Sequence, residues 1–220
     1  MAKLIIHEEI TKMSAWAQQP QGPLAERGRF LNIFASANRT IGSYDDFPVL
    51  NPGIDPMVYL SRNQVPQPFW LSSDKDQTIL NLSGRCRIEF KDCEYNYMQL
   101  EPGDAVYLPA GVANHLIPDG ECLQLRFKAE PPGHEEISFY CKRCNNRLYS
   151  KSFDAGVEIA QQVYWESCQE YTGNSSVRTC HCGEVAAPVN LTGIAWPQVV
   201  ENIIKANEAY NARRADRSRK

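Results

Sequence analysis

The chain has 220 residues, enough for one ordinary domain with an appended module, and a formal net charge of −3 at pH 7. So small a charge argues against a nucleic-acid partner, and no apolar run is long enough to predict a membrane span. Acidic residues come too early in the N-terminal sequence for a signal peptide. We therefore expect a cytoplasmic protein with reduced cysteines and a solvated basic tail at its end.

Helical and strand patterns follow one another along the chain. Residues 5–18 place apolar side chains at helical spacing and end at a Pro/Gly-rich stretch, which predicts a short amphipathic helix. Alternating polarity then predicts strands at residues 29–35, 57–61, 77–82, 85–90, 97–100, 105–108, 115–117 and 123–128. Short strands separated by turn residues rather than helices predict an antiparallel barrel or sandwich.

The C-terminal third begins at a predicted linker, residues 130–134, which contains two prolines and a glycine. Residues 197–215 predict a helix, because apolar side chains recur at helical spacing behind a proline in the first turn. We therefore expect a barrel with its N-terminal helix at residues 1–130, a cysteine module at 131–190, and a C-terminal helix with a basic tail at 191–220.

Two cysteine pairs predict a metal site in the cysteine module. Cys141 and Cys144 are separated by two residues, and Cys180 and Cys182 by one, with a glycine after the second pair. Two such turns can direct four thiolates at one tetrahedral ion, either Zn(II) or Fe. Because the second pair is one residue shorter than usual, His181 is an alternative ligand. The other interpretation is a set of reduced structural thiols.

A glycine and proline pattern indicates the type of barrel. Residues 103–114 have the Gly, Pro and Gly spacing of the second motif of the cupin barrel, and Asn114 occupies the position of its metal-binding histidine. Gln77 lies seven positions before Gly84, where the first cupin motif places a glutamate. The glycines supply tight turns between strands. The pattern predicts an all-β fold, the cupin double-stranded β-helix or jelly roll.

The barrel motif, the linker and the cysteine module together resemble bacterial 3-hydroxyanthranilate 3,4-dioxygenase over roughly residues 55–190. The resemblance implies a homodimer that opens an aminophenol ring with O₂ at a non-haem Fe(II) held by two histidines and one glutamate. It also implies a second, rubredoxin-like iron on the four cysteines.

The catalytic iron ligands of that family are replaced in this chain. Gln77 stands at the glutamate position, Asn114 at the second-motif histidine, and residues 69–72, where the first-motif histidine falls, contain no ligand. Neutral amides bind Fe(II) weakly, so we expect no mononuclear iron in the barrel. His115 lies one residue past the ligand position, and a strand turns such a neighbour to the opposite face unless a bulge intervenes.

A barrel with these replacements suits a flat aromatic or aminoaromatic metabolite. The candidate catalytic residues are Gln77, Asn114 and His115, and the candidate ligand-binding residues are Trp70, Tyr107 and Asp76. Three functions are compatible with this pattern. The chain is a metal-free relative of the dioxygenases acting on such a metabolite, a noncatalytic small-molecule-binding protein with a structural metal, or a ring-opening dioxygenase with rearranged ligands. The expected partner is a small aromatic molecule, with neither nucleic acid nor membrane.

Overall fold

The structure is a computed structural model that describes residues 32–38, 41–50 and 54–217, with side chains of the last helix described to residue 205 and at 208. The helix predicted at residues 5–18 lies outside these ranges. Among the helices that the structure describes, none is long and apolar enough to cross a membrane.

Strands dominate the described part of the chain. The strands are β1 (Phe47–Pro48), β2 (Met57–Asn63), β3 (Trp70–Ser73), β4 (Gln77–Phe90), β5 (Tyr97–Leu100), β6 (Ala105–Leu108), β7 (Asn114–Lys128), β8 (His134–Tyr140) and β9 (Arg147–Asp154). The helices are α1 (Ile33–Ala37), α2 (Ala160–Gly173), α3 (Ser175–Arg178) and α4 (Trp196–Arg217).

The long strands β4 and β7 form the centre of the sheet. They pair antiparallel from Gln77 opposite Lys128 to Phe90 opposite Asn114. β5 and β6 pair with the two halves of β4, while β2 and β3 pair with the two ends of β7. β8 continues from β3, and β9 from β8. The predicted all-β fold is confirmed as an antiparallel sheet that curls into a half-barrel.

A β-bulge bends β4 near its middle, with register shifts between Asn81 and Arg85. Gly84 lies in this bulge with a φ of +70°, and a Cβ there would lie 1.9 Å from the carbonyl oxygen of Glu121 on β7. Only glycine permits so close an approach of the two backbones. The bulge therefore explains how one strand can turn from one side of the barrel to the other.

The sequence patterns predicted most of the strands, but they predicted each of the two long strands as two separate segments. The segments predicted at 77–82 and 85–90 are two halves of β4, and those at 115–117 and 123–128 belong to β7. The strand predicted at 29–35 is wrong in its described part, because residues 33–37 form α1. The side chain of Asn32 caps this helix by accepting a hydrogen bond from the Ala35 N–H at 2.9 Å.

One hydrophobic cluster extends from the barrel into the cysteine module. Phe69, beside β3, has its ring centre 4.8 Å from that of Tyr164 on α2 and 5.9 Å from that of Trp196 on α4. Phe139 on β8 stacks on Tyr171 of α2 with ring centres 3.9 Å apart. Helices α2 and α4 thus share an aromatic core with the barrel.

Trp196 ties α4 to the chain before the first strand. Its side chain is fully buried, and its Nε1 donates to the Tyr44 carbonyl at 3.1 Å across 152 positions of sequence. The Tyr44 hydroxyl in turn donates to the Val65 carbonyl at 2.6 Å. These bonds satisfy the polar atoms of two buried aromatic side chains.

Candidate functional site

The four cysteines converge at the tip of the β8–β9 hairpin. Cys141 and Cys144 lie in the hairpin turn, and Cys180 and Cys182 lie in the turn that follows α3. All four Sγ atoms lie within 4.8 Å of one another, with Cys144 and Cys180 at 3.4 Å and Cys141 and Cys182 at 3.7 Å. Sulfurs 2.3 Å from a tetrahedral ion are about 3.8 Å apart, so this group fits a four-thiolate metal.

Two tight turns aim these sulfurs, the first closed by a hydrogen bond between residues four apart and the second by one between residues three apart. The N–H of Asn145 donates to the Cys141 carbonyl, and the N–H of Gly183 donates to the Cys180 carbonyl, both at 2.9 Å. Asn145 and Gly183 have positive φ values of 63° and 87°, a conformation that asparagine and glycine adopt most readily. The second cysteine pair therefore forms a tighter turn, closed one residue sooner, that still directs both of its sulfurs to the group.

The electrostatics at this site favour a thiolate at Cys141. The backbone N–H of Cys144, which points at the Cys141 sulfur, is the largest cause that lowers the pKa of Cys141 to about 7. His181 is exposed, and its Nδ1 lies 3.7 Å from the Cys180 sulfur. The four sulfurs form a complete ligand group without His181.

The barrel end near the first motif is filled by a buried ionic network. Glu135, at the start of β8, accepts hydrogen bonds from Lys128 Nζ, from Gln77 Nε2 at 3.2 Å and from the Tyr164 hydroxyl at 2.9 Å. Arg126 donates to Gln77 Oε1 at 3.4 Å. We call these five residues the Glu135 network, and each is at most 5% exposed.

The charges of the Glu135 network do not fit a catalytic iron. Burial raises the pKa of Glu135, but attraction to Lys128 and then to Arg126 outweighs it and leaves that pKa below its ordinary value. A divalent cation beside Lys128 and Arg126 would be repelled by both. The network around Gln77 also contains no imidazole, the usual partner of a carboxylate in such iron sites.

Asn114 lies at the other end of the β4–β7 pairing. It is paired with Phe90, whereas Gln77 is paired with Lys128. Its Nδ2 donates to the Leu71 carbonyl at 2.8 Å, and its buried Oδ1 has no hydrogen-bond partner among the described residues. Within the described chain, therefore, no hydrogen bond links Gln77 to Asn114.

Trp70 and His115 lie against each other on the outer face of the barrel, with ring centres 5.2 Å apart and the ring planes tilted by 32°. His115 Nε2 lies 2.5 Å from the Gln67 carbonyl oxygen, and Nδ1 lies 3.4 Å from Glu89 Oε2. Lys91 Nζ lies 4.8 Å from the Trp70 ring centre. His115 thus points away from the buried side of β7, as strand alternation requires.

Asp76 and Tyr107 form a fourth, separate location on the surface. Tyr107 is 57% exposed. Asp76 accepts a hydrogen bond from the Ala110 N–H at 2.9 Å, and this bond, followed by one from the Tyr107 hydroxyl, lowers the pKa of Asp76. The six residues predicted for one site therefore lie in several places, and their catalytic or binding roles stay predictions.

Comparison with known proteins adds little to this geometry. No family model matches the chain, and no curated protein matches it. A solved hydroquinone 1,2-dioxygenase in complex with Cd²⁺ and 4-hydroxybenzonitrile is 20% identical, covers 52% of this chain and 80% of its own, and has a TM-score of 0.42. The hydroquinone 1,2-dioxygenase from Sphingomonas sp. TTNP3 with 4-hydroxybenzoate bound is 15% identical, with 46% and 74% coverage and a TM-score of 0.40.

A cupin-2 domain protein from Shewanella frigidimarina is 16% identical over 45% of this chain and 93% of its own, with a TM-score of 0.40. At this level of similarity, such likenesses concern the fold alone and assign no activity, substrate or site to this chain. The resemblance to 3-hydroxyanthranilate dioxygenase stays a prediction.

A pocket that the sequence did not predict opens beside the Glu135 network. Its volume is about 230 Å³, and it is lined by Lys128 and Tyr59 from the barrel, Asp46, residues 155–161 and Ile203 of α4. Lys128 Nζ lies 5.3 Å from the centre of the Tyr59 ring. We call this cavity the Lys128 pocket. No local motif points to it, because its walls come from distant parts of the chain.

The loop before β1 brings two adjacent aspartates to this region. Asp46 lines the Lys128 pocket, whereas the Asp45 side chain is fully buried. Asp45 Oδ2 accepts hydrogen bonds from the N–H groups of Ile41 at 2.7 Å and Gly42 at 2.9 Å. Its Oδ1 has no partner within the described residues. Burial, opposed by these two bonds, raises the pKa of Asp45 to about 6.

We compare the free energy of unfolding of Asp45→Asn with that of the parent at pH 4 and at pH 7.5. Raising the pH should shift this difference by about 3 kcal/mol in favour of the variant. An unfolded aspartate has a pKa near 3.9, so from about pH 4 to 6 the folded chain keeps a proton that the unfolded chain releases. The parent therefore loses this contribution as pH rises, and the asparagine does not. Urea unfolding at both pH values measures the difference.

Asp92→Asn is the control, because it makes the same substitution at an exposed aspartate. The same pH dependence in this control, or none in Asp45→Asn, would contradict the assignment to Asp45.

Proposed function

We propose that this chain binds a small aromatic metabolite in the Lys128 pocket without a mononuclear Fe(II), and that its four cysteines hold a structural Zn(II) or Fe ion. The observation that carries the proposal is the pocket itself. Its volume of about 230 Å³ is smaller than sites for drug-sized molecules and suits a single ring. The apolar walls at Pro48, Met57 and Tyr59 suit an aromatic face, and the polar groups of Asp46 and Lys128 would orient it.

The Glu135 network favours binding over oxygen chemistry. Two buried cations adjoin the position where a catalytic iron would need its carboxylate. Glu135 itself accepts three hydrogen bonds, from Gln77, Lys128 and Tyr164, which leaves it poorly suited to act as a general base. The residues therefore support a binding protein better than a ring-opening dioxygenase or a metal-free enzyme.

A larger side chain that fills the Lys128 pocket should weaken ligand binding. We expect Ile203→Trp, which replaces a side chain of the pocket wall, to weaken binding of 3-hydroxyanthranilate and of anthranilate at least tenfold, because the indole occupies the ligand volume. Isothermal titration calorimetry measures the affinities. The matched control is Ile204→Trp at the next position, where the side chain is 43% exposed, and it should bind as the parent does.

Equal binding by both variants would contradict the proposed location. Aerobic incubation of the parent with 3-hydroxyanthranilate and added Fe(II) tests the remaining alternative. Ring opening at an enzymatic rate, about 1 s⁻¹ or more, would contradict the proposal and support a dioxygenase with rearranged ligands.

A further inference from the structure

Asp46 carries a buried carboxylate that the chain itself does not neutralise. The residue is 8% exposed, and it lines the Lys128 pocket. Within the part of the chain that the structure describes, its carboxylate makes no hydrogen bond and no ion pair, and its oxygen atoms remain accessible from the pocket. Charged groups inside proteins are normally paired. This side chain therefore lacks a partner at a place where a ligand can supply one.

The backbone holds Asp46 in this position at a cost. Tyr44 and Asp46 have φ values of 58° and 42°, which are uncommon for residues other than glycine. The loop is fixed by bonds to the rest of the fold, since the Tyr44 N–H donates to Asn63 Oδ1 at 2.8 Å and Gln161 donates to the Asp45 carbonyl at 2.8 Å. Strained backbone of this kind persists where the surroundings fix it and is frequent at ligand sites.

The other charged groups of the pocket are already engaged. Lys128 is paired with Glu135. Glu158, which is exposed, accepts a hydrogen bond from the Asp154 N–H at 3.1 Å. Asp46 is therefore the pocket carboxylate that has no hydrogen-bond or ion-pair partner within the described residues.

We propose that Asp46 binds a protonated aliphatic amino group attached to the ring of the ligand, so that the Lys128 pocket selects arylalkylamines. This inference rests on the proposed function, because it requires the pocket to be the ligand site. A ligand ammonium group would form a charge-assisted hydrogen bond with the buried carboxylate, which is stronger than a bond to a neutral donor. The ring would lie against Tyr59 and Met57, which also line the pocket.

Calorimetric titration at pH 7.5 with benzylamine, benzyl alcohol and benzoate tests the inference, because these probes share a ring and differ in charge. We expect the parent to bind benzylamine at least tenfold more tightly than benzyl alcohol. Asp46→Asn should remove that preference, and asparagine is well suited to the positive φ of this position. Glu158→Gln, on the same pocket wall, should keep it.

The outcomes separate this inference from the proposed function. Three results would overturn the role of Asp46 and leave the pocket as the binding site. The parent prefers benzyl alcohol or benzoate, the benzylamine preference survives in Asp46→Asn, or Glu158→Gln loses that preference to the same extent. Binding of no probe, and of neither aromatic acid used above, would overturn both. If Asp46→Asn lowers the melting temperature, Asp46→Gly provides the same charge removal without backbone strain.

Discussion

Cys141→Ser combined with Cys180→Ser should reduce the metal content from about one ion per chain to none, and should destabilise the fold by several kcal/mol. The double variant removes one sulfur from each of the two turns that form the site. Structural zinc binding contributes about 10–16 kcal/mol in isolated zinc-finger peptides. The double variant should lose less stability than this, because α2 and β8 also pack in the aromatic core through Tyr171 and Phe139. Elemental analysis and urea unfolding measure the two effects.

Cys93→Ser is the control for this experiment, because Cys93 is half-buried and is not part of the four-sulfur group. It should keep its metal and nearly all of its stability. Two ions per chain in the parent, or an ion retained by the double variant, would show that the metal is bound elsewhere.

Lys128→Met should lower the free energy of unfolding by about 3–5 kcal/mol, because it leaves Glu135 charged and buried without its ion-pair partner. Arg126 also attracts Glu135, but it donates its hydrogen bond to Gln77 and so offsets only part of the loss. Urea unfolding at pH 7.5 measures the loss. The double variant Lys128→Met with Glu135→Gln should recover much of it, because the remaining buried group is neutral.

Lys151→Met is the matched surface control for this pair. Lys151 forms ion pairs with Glu166 and Glu170, and its side chain is 30% exposed. Exposed pairs contribute about 0–1 kcal/mol, so this variant should change stability little. A loss in Lys128→Met no larger than that of Lys151→Met would mean that the Glu135 network does not carry the buried charge that we assign to it.

Local sequence patterns were sufficient for parts of the fold that depend on local chemistry. Polar and apolar alternation located most strands, and glycine marked the positive-φ turn at Gly183. The breaks between the strands predicted at 77–82 and 85–90, and at 115–117 and 123–128, contain Gly84 and Gly120, which in the structure lie inside β4 and β7. Helix α2 escaped prediction because its buried face includes polar side chains such as Gln161 and Ser167, which obscure the apolar pattern.

The candidate sites, too, could be predicted only where their residues are close together in sequence. The cysteine group could be predicted because the residue types and spacing of metal ligands are evident within each turn. Lys128 and Asp46 could not, since a lysine at the end of a strand and an aspartate in a turn usually face solvent. Their burial depends on Glu135 and Tyr164, which come from other elements. Trp70, a candidate ligand-binding residue, lies against His115 on the outer face, and its binding role stays a prediction.

The hydrogen bond between Trp196 and the Tyr44 carbonyl has a consequence for the newly made protein. Its two ends are 152 positions apart, and a ribosome adds about 5–20 residues per second, so roughly 10–30 s separate their synthesis. For most of that time the ring of Phe69 lacks the indole that covers it in the finished fold. The nascent barrel therefore exposes an aromatic surface that aggregation or chaperones can reach until α4 has emerged.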